Sequence, residues 1–356
     1  MTEDGIAVQV PAVQTPAVQT PAVQTAATAA PTGRRGRRSA DVGTLVERAR
    51  EGDARSVARL ISLVEDASPL LREVAAALAP HTGGARVLGL TGPPGVGKST
   101  TTTALVRAFR QAGQRVGVLA VDPSSPFSGG ALLGDRVRMQ DHAGDSGVYI
   151  RSMASRGHLG GLAWATPQAL RVLDAAGCDV VLVETVGVGQ SELEVASLAD
   201  TTLVLLAPGM GDGIQAAKAG ILEVADVFVV NKADRDGADQ TARDLRAMLS
   251  LGGRHSAAGA WRPPIVRTVA SRDTDSGIED VVAAMAAHAD WLASSGEGRR
   301  RRVERAAREV EAIALAGLRE RMGDVHGSAA LGALAEQVVA GETDPYRAAD
   351  ELVAQL

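Results

Sequence analysis

With 356 residues and 45% apolar side chains, the chain has material for one large domain with extensions or two modest ones, and no run approaches the ~18–20 apolar residues of a membrane span. Aromatic residues make up 2% and the net charge is −5, which excludes base-stacking platforms and a general affinity for nucleic acid or anionic membrane. Its one cysteine, Cys178, excludes an internal disulfide and fits a reducing compartment; with no signal-peptide apolar region visible, the expected location is cytoplasmic.

Residues 1–40 repeat a PAVQT unit and then run through "AATAAPTGRRGRRSA". A proline every five residues forbids a helix and discourages a strand, so a disordered tail is expected. Its Arg34, Arg35, Arg37 and Arg38 are either solvated or face an acidic partner. Residues 41–84 place apolar side chains at three- and four-residue spacing and predict a helical segment, with caps expected at Ser39 and Asp53.

From 85 to 294 short apolar runs alternate with amphipathic stretches. "ARVLGLTG", "RVGVLAVDP", "CDVVLVET", "TTLVLLAPG", "VFVVNKAD" and "PIVRTVAS" lack polar alternation, as strands covered on both faces do. Helices are expected near 98–113, 161–177, 212–223 and 236–251. The fold class is therefore α/β, a mainly parallel sheet flanked by helices, with N- and C-terminal helical extensions. Cys178, opening a strand, is expected to be a small buried hydrophobe. Residues 295–356 begin with a charged helix carrying an apolar stripe (Val303, Ala307, Val310, Ala314, Leu318, with Ile313 beside it), and two shorter helices follow. That stripe needs a partner surface, either the core or a second subunit.

The chemistry starts at "GPPGVGKST", 92–100, a full G-x-x-x-x-G-K-[ST] phosphate loop between a strand and a helix. Gly92, Pro93, Pro94, Gly95, Val96, Gly97, Lys98, Ser99 and Thr100 are assigned to nucleotide binding. The glycines let backbone N–H groups turn toward phosphates at a helix N-terminus, Lys98 neutralises the β- and γ-phosphates, and the Ser99 hydroxyl ligates magnesium. "NKAD", 231–234, ends a strand in the guanine-recognition pattern N-K-x-D. The Asp234 carboxylate accepts from guanine N1–H and the exocyclic amine, a donor pair adenine lacks; Asn231 bridges to the phosphate loop and the Lys232 stem lies along the base. Ala270, Ser271 and Arg272, at the end of the last strand, are placed in the same site.

Glu184 ends the run "VLVE" and opens "ETVG", an E-x-x-G variant of the third GTPase motif, in which the carboxylate faces magnesium and the γ-phosphate and Gly187 leaves an amide free to sense that phosphate. Asp122 ends another strand, and Asp135 follows a serine- and glycine-rich stretch. Ser99, Asp122, Asp135 and Glu184 make the expected oxygen donor set for Mg2+, some through water, with a helix cap for "DRVRMQDH" as the lesser alternative for Asp135.

"VDPSSPFSGGALLGDRVRM", "ETVGVGQSE", "LLAPGMGDGIQAAKAGILEVADVFVVNKAD" and the phosphate loop together resemble the MeaB/ArgK family of GTPases, over about residues 45–350. The resemblance implies a phosphate-loop GTPase that uses GTP and releases GDP, with Mg2+ as cofactor and Lys98, Asp135 and Glu184 as catalytic residues. It further implies a chaperone of an adenosylcobalamin-dependent acyl-CoA mutase, protecting the mutase and gating its cofactor loading, and a homodimer built on the C-terminal helices. Within "PGMGDGIQAAKAGI", Gln215 and Lys218 share a helix face and are the implied coupling residues between nucleotide state and mutase. The water-orienting Gln of many GTPases is replaced by Val188, with Gln190 nearby, so slow intrinsic turnover is expected. Two other functions share the phosphate loop: a kinase of a lysine/arginine/ornithine transport system, and a metallochaperone GTPase. "NKAD" favours GTP over the first, and the six scattered histidines and lone cysteine disfavour the second.

Overall fold

Strands too apolar to face water on either side organise this structure, a computed structural model that describes residues 41–123, 142, 144–155, 165–185, 191–209, 221–251, 259–322 and 328–354. They are β1 (Arg86–Thr91), β2 (Val116–Pro123), β3 (Val148–Ser155), β4 (Val180–Thr185), β5 (Thr201–Leu206), β6 (Val227–Val230) and β7 (Ile265–Arg267). All pair in parallel, in the order β3-β2-β4-β1-β5-β6-β7. Every residue of β4, β5 and β6 is buried, which is why their sequences carry no polar alternation.

Six of the seven strands are the expected ones. The seventh, β3, went unrecognised in the sequence because "VYIRSMAS" mixes polar and apolar residues. It is an edge strand: Tyr149 and Met153 enter the core, while Arg151 pairs with Glu65.

Neighbouring residues of the strands point to opposite layers. Val181 and Val183 pack with Leu119, Val121 and Met153 against α1 (Val42–Arg50), α2 (Ala54–Glu65), α3 (Leu71–Leu78), α5 (Thr166–Ala175) and α6 (Ser191–Leu198). Val180 and Leu182 pack with Leu90, Leu203 and Leu205 against α4 (Lys98–Gln111) and α9 (Ile278–Ser295). Phe228, Val204 and Val230 complete a smaller cluster under α8 (Ala238–Leu251). Truncating any of the fully buried leucines costs about 2–5 kcal/mol. The first three helices therefore share the core of the sheet, and the described residues from Asp41 onward form one compact unit.

Helix α1 is capped by Asp41, whose carboxylate accepts from the Gly43 N–H at 3.2 Å. This corrects the expected cap at Ser39, which lies outside the described residues. Asp53 caps α2 in the same way. Helix α5 begins at Thr166, later than the 161 expected. Helix α6 was not expected at all, because "SELEVASL" has no one-sided apolar stripe in sequence. Of the 212–223 helix, the described part is the short α7 (Ile221–Val224).

The last helices are α10 (Glu297–Met322), α11 (Ala329–Val339) and α12 (Pro345–Ala354). Helix α10 docks by charge. Arg301, Arg305 and Glu309, four residues apart on one face, meet Asp226 at 3.1 Å, Asp200 at 2.7 Å and Arg171 at 2.6 Å. The apolar stripe does not pack on the core: Val303, Val310 and Leu318 are 54%, 66% and 54% exposed. Among the described residues no helix is long and apolar enough to cross a membrane.

Candidate functional site

The carboxyl ends of β1, β2, β4 and β6 lie along one edge of the sheet, where chains of this topology bind ligands. Strand β1 leads directly into the phosphate loop. Gly92 has φ 141°, and a side chain there would overlap the Leu205 carbonyl oxygen; Gly97, at φ 98°, starts α4 with Asn231 against its Cα. Lys98 is 7% exposed, and its Nζ donates to the carbonyls of Gly92 at 2.7 Å and Pro93 at 3.0 Å. The lysine ammonium is thus held across the loop.

Glu184 is buried beneath this loop. Its backbone is fixed on both sides, opposite Leu90 of β1 and Ala120 of β2. Its carboxylate accepts from Ser99 Oγ at 2.6 Å and from Thr102 Oγ1 at 2.8 Å. A buried carboxylate in such a place needs donors to offset its lost hydration, and the two hydroxyls supply them.

The donor set suits magnesium, a hard cation that takes oxygen ligands and retains several waters. With its proton committed to Glu184, Ser99 Oγ has lone pairs left for a cation. Asp122 is the penultimate residue of β2, two residues beyond the Ala120 that pairs with Glu184, so its backbone lies at the same edge. Asp135 lies outside the described residues, as do Gly187, Val188 and Gln190.

The Asn-Lys-Ala-Asp turn follows β6. Asn231 Nδ2 donates to Val96 O at 2.8 Å, while its Oδ1 accepts from Thr268 Oγ1 and the Ala270 N–H, both at 3.1 Å. One amide thereby ties the phosphate loop to the segment after β7. Lys232 takes a left-handed backbone, φ 56°, rare for a residue with a side chain, and its Nζ donates to Gly95 O at 2.6 Å. Asp234 is exposed, beside an open cleft of about 680 Å³ that Thr268, Val269 and Arg272 also line. Ala270 is buried and Ser271 and Arg272 are exposed.

Sequence reasoning missed two residues of this site. Thr102 was hidden in "STTTT", although its spacing from Lys98 puts both on one face of α4. Thr268 carries no motif; only the folded chain shows that it holds Asn231. The predicted coupling residues Gln215 and Lys218 lie outside the described residues. Cys178 is 3% exposed, and burial pushes its thiol up to about 12, so it is inert at neutral pH.

A parallel sheet with a phosphate loop after its first strand and an Asn-Lys-Ala-Asp turn tied to that loop defines the class: a phosphate-loop GTPase. Comparison with known proteins supplies the family. The chain belongs to the MeaB family, whose model, described as methylmalonyl-CoA mutase-associated GTPase MeaB, matches residues 57–325. A protein of Pyrococcus abyssi named as a GTPase is 46% identical over 315 residues, covering 88% of this chain and 96% of its own length. GTPase ArgK of Escherichia coli is 44% identical over 195 residues, 54% of this chain and 59% of that one. The mouse mitochondrial methylmalonic aciduria type A homolog is 40% identical over 213 residues, 59% of this chain and 50% of that one. Among solved structures, that of a LAO/AO transport system kinase superposes with a TM-score of 0.67 at 26% identity, covering 89% of this chain and 97% of its own. The chain binds guanine nucleotide and hydrolyses GTP to GDP and phosphate.

Proposed function

We propose that this GTPase serves an adenosylcobalamin-dependent acyl-CoA mutase, methylmalonyl-CoA mutase or a relative, as a chaperone that protects the mutase and gates its cofactor loading. The observation that carries the reading is the family match over residues 57–325, whose description names the mutase association. The mouse relative, named for methylmalonic aciduria, points the same way.

In this reading Lys98 meets the β- and γ-phosphates, exchanging loop carbonyls for phosphate oxygens. Gly92 to Thr100 cradle the phosphates through backbone N–H groups. Asp234 selects guanine, and Ala270, Ser271 and Arg272 flank the base. Ser99, Asp122, Asp135 and Glu184 hold Mg2+, which when bound neutralises phosphate charge as it develops. Lys98, Asp135 and Glu184 are the catalytic residues. Gln215 and Lys218 carry nucleotide state to the mutase. The exposed stripe of α10 is covered by a second copy of the chain, giving a homodimer: Val303, Val310 and Leu318 face away from their own domain while the charged face docks on it. The dimer works in the cytoplasm.

Affinity purification with GTP or GDP present tests the partner: an acyl-CoA mutase should co-purify in a nucleotide-dependent way, and binding no mutase under either nucleotide overturns the proposal. Incubation with γ-labelled GTP should give free phosphate and no labelled protein acceptor.

A further inference from the structure

We infer that Thr102 is a positioning residue for GTP hydrolysis: its hydroxyl fixes the Glu184 carboxylate, so that Glu184 takes the Ser99 proton and Ser99 Oγ is left oriented for the cation. The inference rests on the reading of Ser99 and Glu184 as magnesium-site residues.

The geometry leads there in three steps. Ser99 and Thr102 are three residues apart on α4, so both present their hydroxyls to the same side, toward β4. They close on opposite oxygens of one carboxylate, Ser99 on Oε1 at 2.6 Å and Thr102 on Oε2 at 2.8 Å. Thr102 is wholly buried, so no water stands in for it, and its Oγ1 also lies 3.0 Å from the Lys98 carbonyl. A hydroxyl has one proton, and the bond to a carboxylate is roughly twice as strong as one to a neutral carbonyl. The proton therefore belongs to Glu184.

The need for such a group follows from the residue type. A glutamate has one more torsion than an aspartate, and the terminal torsion about its carboxylate is broad. Strand pairing on both sides fixes the Glu184 backbone but not this rotor. Thr102 holds Oε2 while Ser99 bonds Oε1, so without Thr102 the Ser99 proton faces a less fixed acceptor. The neighbouring Thr101 makes an internal control, being equally buried with a hydroxyl that has no hydrogen-bond partner among the described residues.

The test measures release of a fluorescent GDP from the full chain as a function of Mg2+ concentration, with thermal melting to check the fold. Thr102→Val should raise the Mg2+ concentration for half-maximal retention about 10-fold or more, the usual effect of removing a group that orients a metal ligand. Thr102→Ser should restore most of it, and Thr101→Val should match the wild type. Should the valine variant not fold, Thr102→Ala takes its place with the same expectation. Glu184→Gln separates the two layers. If it shifts the Mg2+ dependence and the Thr102 variants do not, the role of Thr102 is overturned. If Glu184→Gln also leaves the dependence unchanged, the magnesium reading of Glu184 fails and the inference falls with it.

Discussion

Lys98 holds its ammonium inside the phosphate loop, at the start of α4. Its Nζ bridges two loop carbonyls at 2.7 and 3.0 Å, neutral acceptors that phosphate oxygens outcompete. Lys98→Ala should therefore lower the hydrolysis rate by ~10²–10³-fold, the usual effect of losing one charge-stabilising donor, and weaken GTP binding. Undiminished turnover in that variant would remove the loop from the chemistry. Asp234 makes a complementary test of base choice. It is exposed and next to the turn that Asn231 pins to the phosphate loop. Asp234→Asn replaces an acceptor by a group that can also donate, so preference should move from guanine toward xanthine nucleotides. Competition between GTP and XTP measures it, and unchanged selectivity would take Asp234 out of base recognition. Motifs made the phosphate loop, Glu184 and Asn231–Asp234 legible in sequence, because backbone amides and guanine edges demand particular residues at particular spacings. Thr102 and Thr268 were not legible, because any buried threonine looks alike until its acceptor is known.

At the scale of elements, the sequence showed the six strands whose apolar runs are unbroken, the edge strand β7 included, and lost the one whose run is interrupted. β3 is the example: its polar Arg151 and Ser152 break the apolar run, and pairing with β2 alone defines it. Helix α10 carries the opposite lesson. Its apolar stripe was readable, yet the face that docks is the charged one, through Arg301, Arg305 and Glu309. Arg305 also bonds the Leu198 carbonyl at the end of α6, so α10 grips the helix that follows the Glu184 loop. Docking by charge should weaken with ionic strength, since screening shortens to roughly 3 Å at 1 M salt. Hydrogen exchange of α10 amides should quicken in high salt and in Arg305→Ala, while β1, β4 and β5 stay protected. Equal protection of α10 in all conditions would show that something other than these ion pairs holds it. Asp226→Ala should cost about 3 kcal/mol, because Arg301, 30% exposed, keeps only the Glu297 carboxylate and the buried Thr202 N–H loses its acceptor.

The described residues have two working edges: the phosphate loop and Asn231–Asp234 at the carboxyl ends of the strands, and helix α10 anchored at the amino ends of β5 and β6. His288 lies at the second. It is fully buried, bonded to Thr201 at 2.8 Å, stacked on Trp291 with Trp261 alongside, and has Asp226, Arg301 and Asp200 around it. Burial lowers its pKa from the ordinary 6.5, with Asp226 acting in the opposite direction. The fold thus favours neutral His288, so its contribution is present above pH 6.5 and is lost as pH falls through that value toward the depressed one. Denaturant midpoints should drop more steeply on acidification for the wild type than for His288→Asn; parallel slopes would contradict the assignment.

In the proposed function, hydrolysis at the first edge is governed by a mutase. Phosphate release from GTP, measured with and without the purified acyl-CoA mutase, tests it directly. The mutase should accelerate release, and Gln215→Ala or Lys218→Ala should abolish the acceleration while sparing the intrinsic rate. GTP and GDP must then also change the affinity for the mutase differently, since such coupling is reciprocal in binding. A turnover rate that is the same with and without the mutase would contradict it.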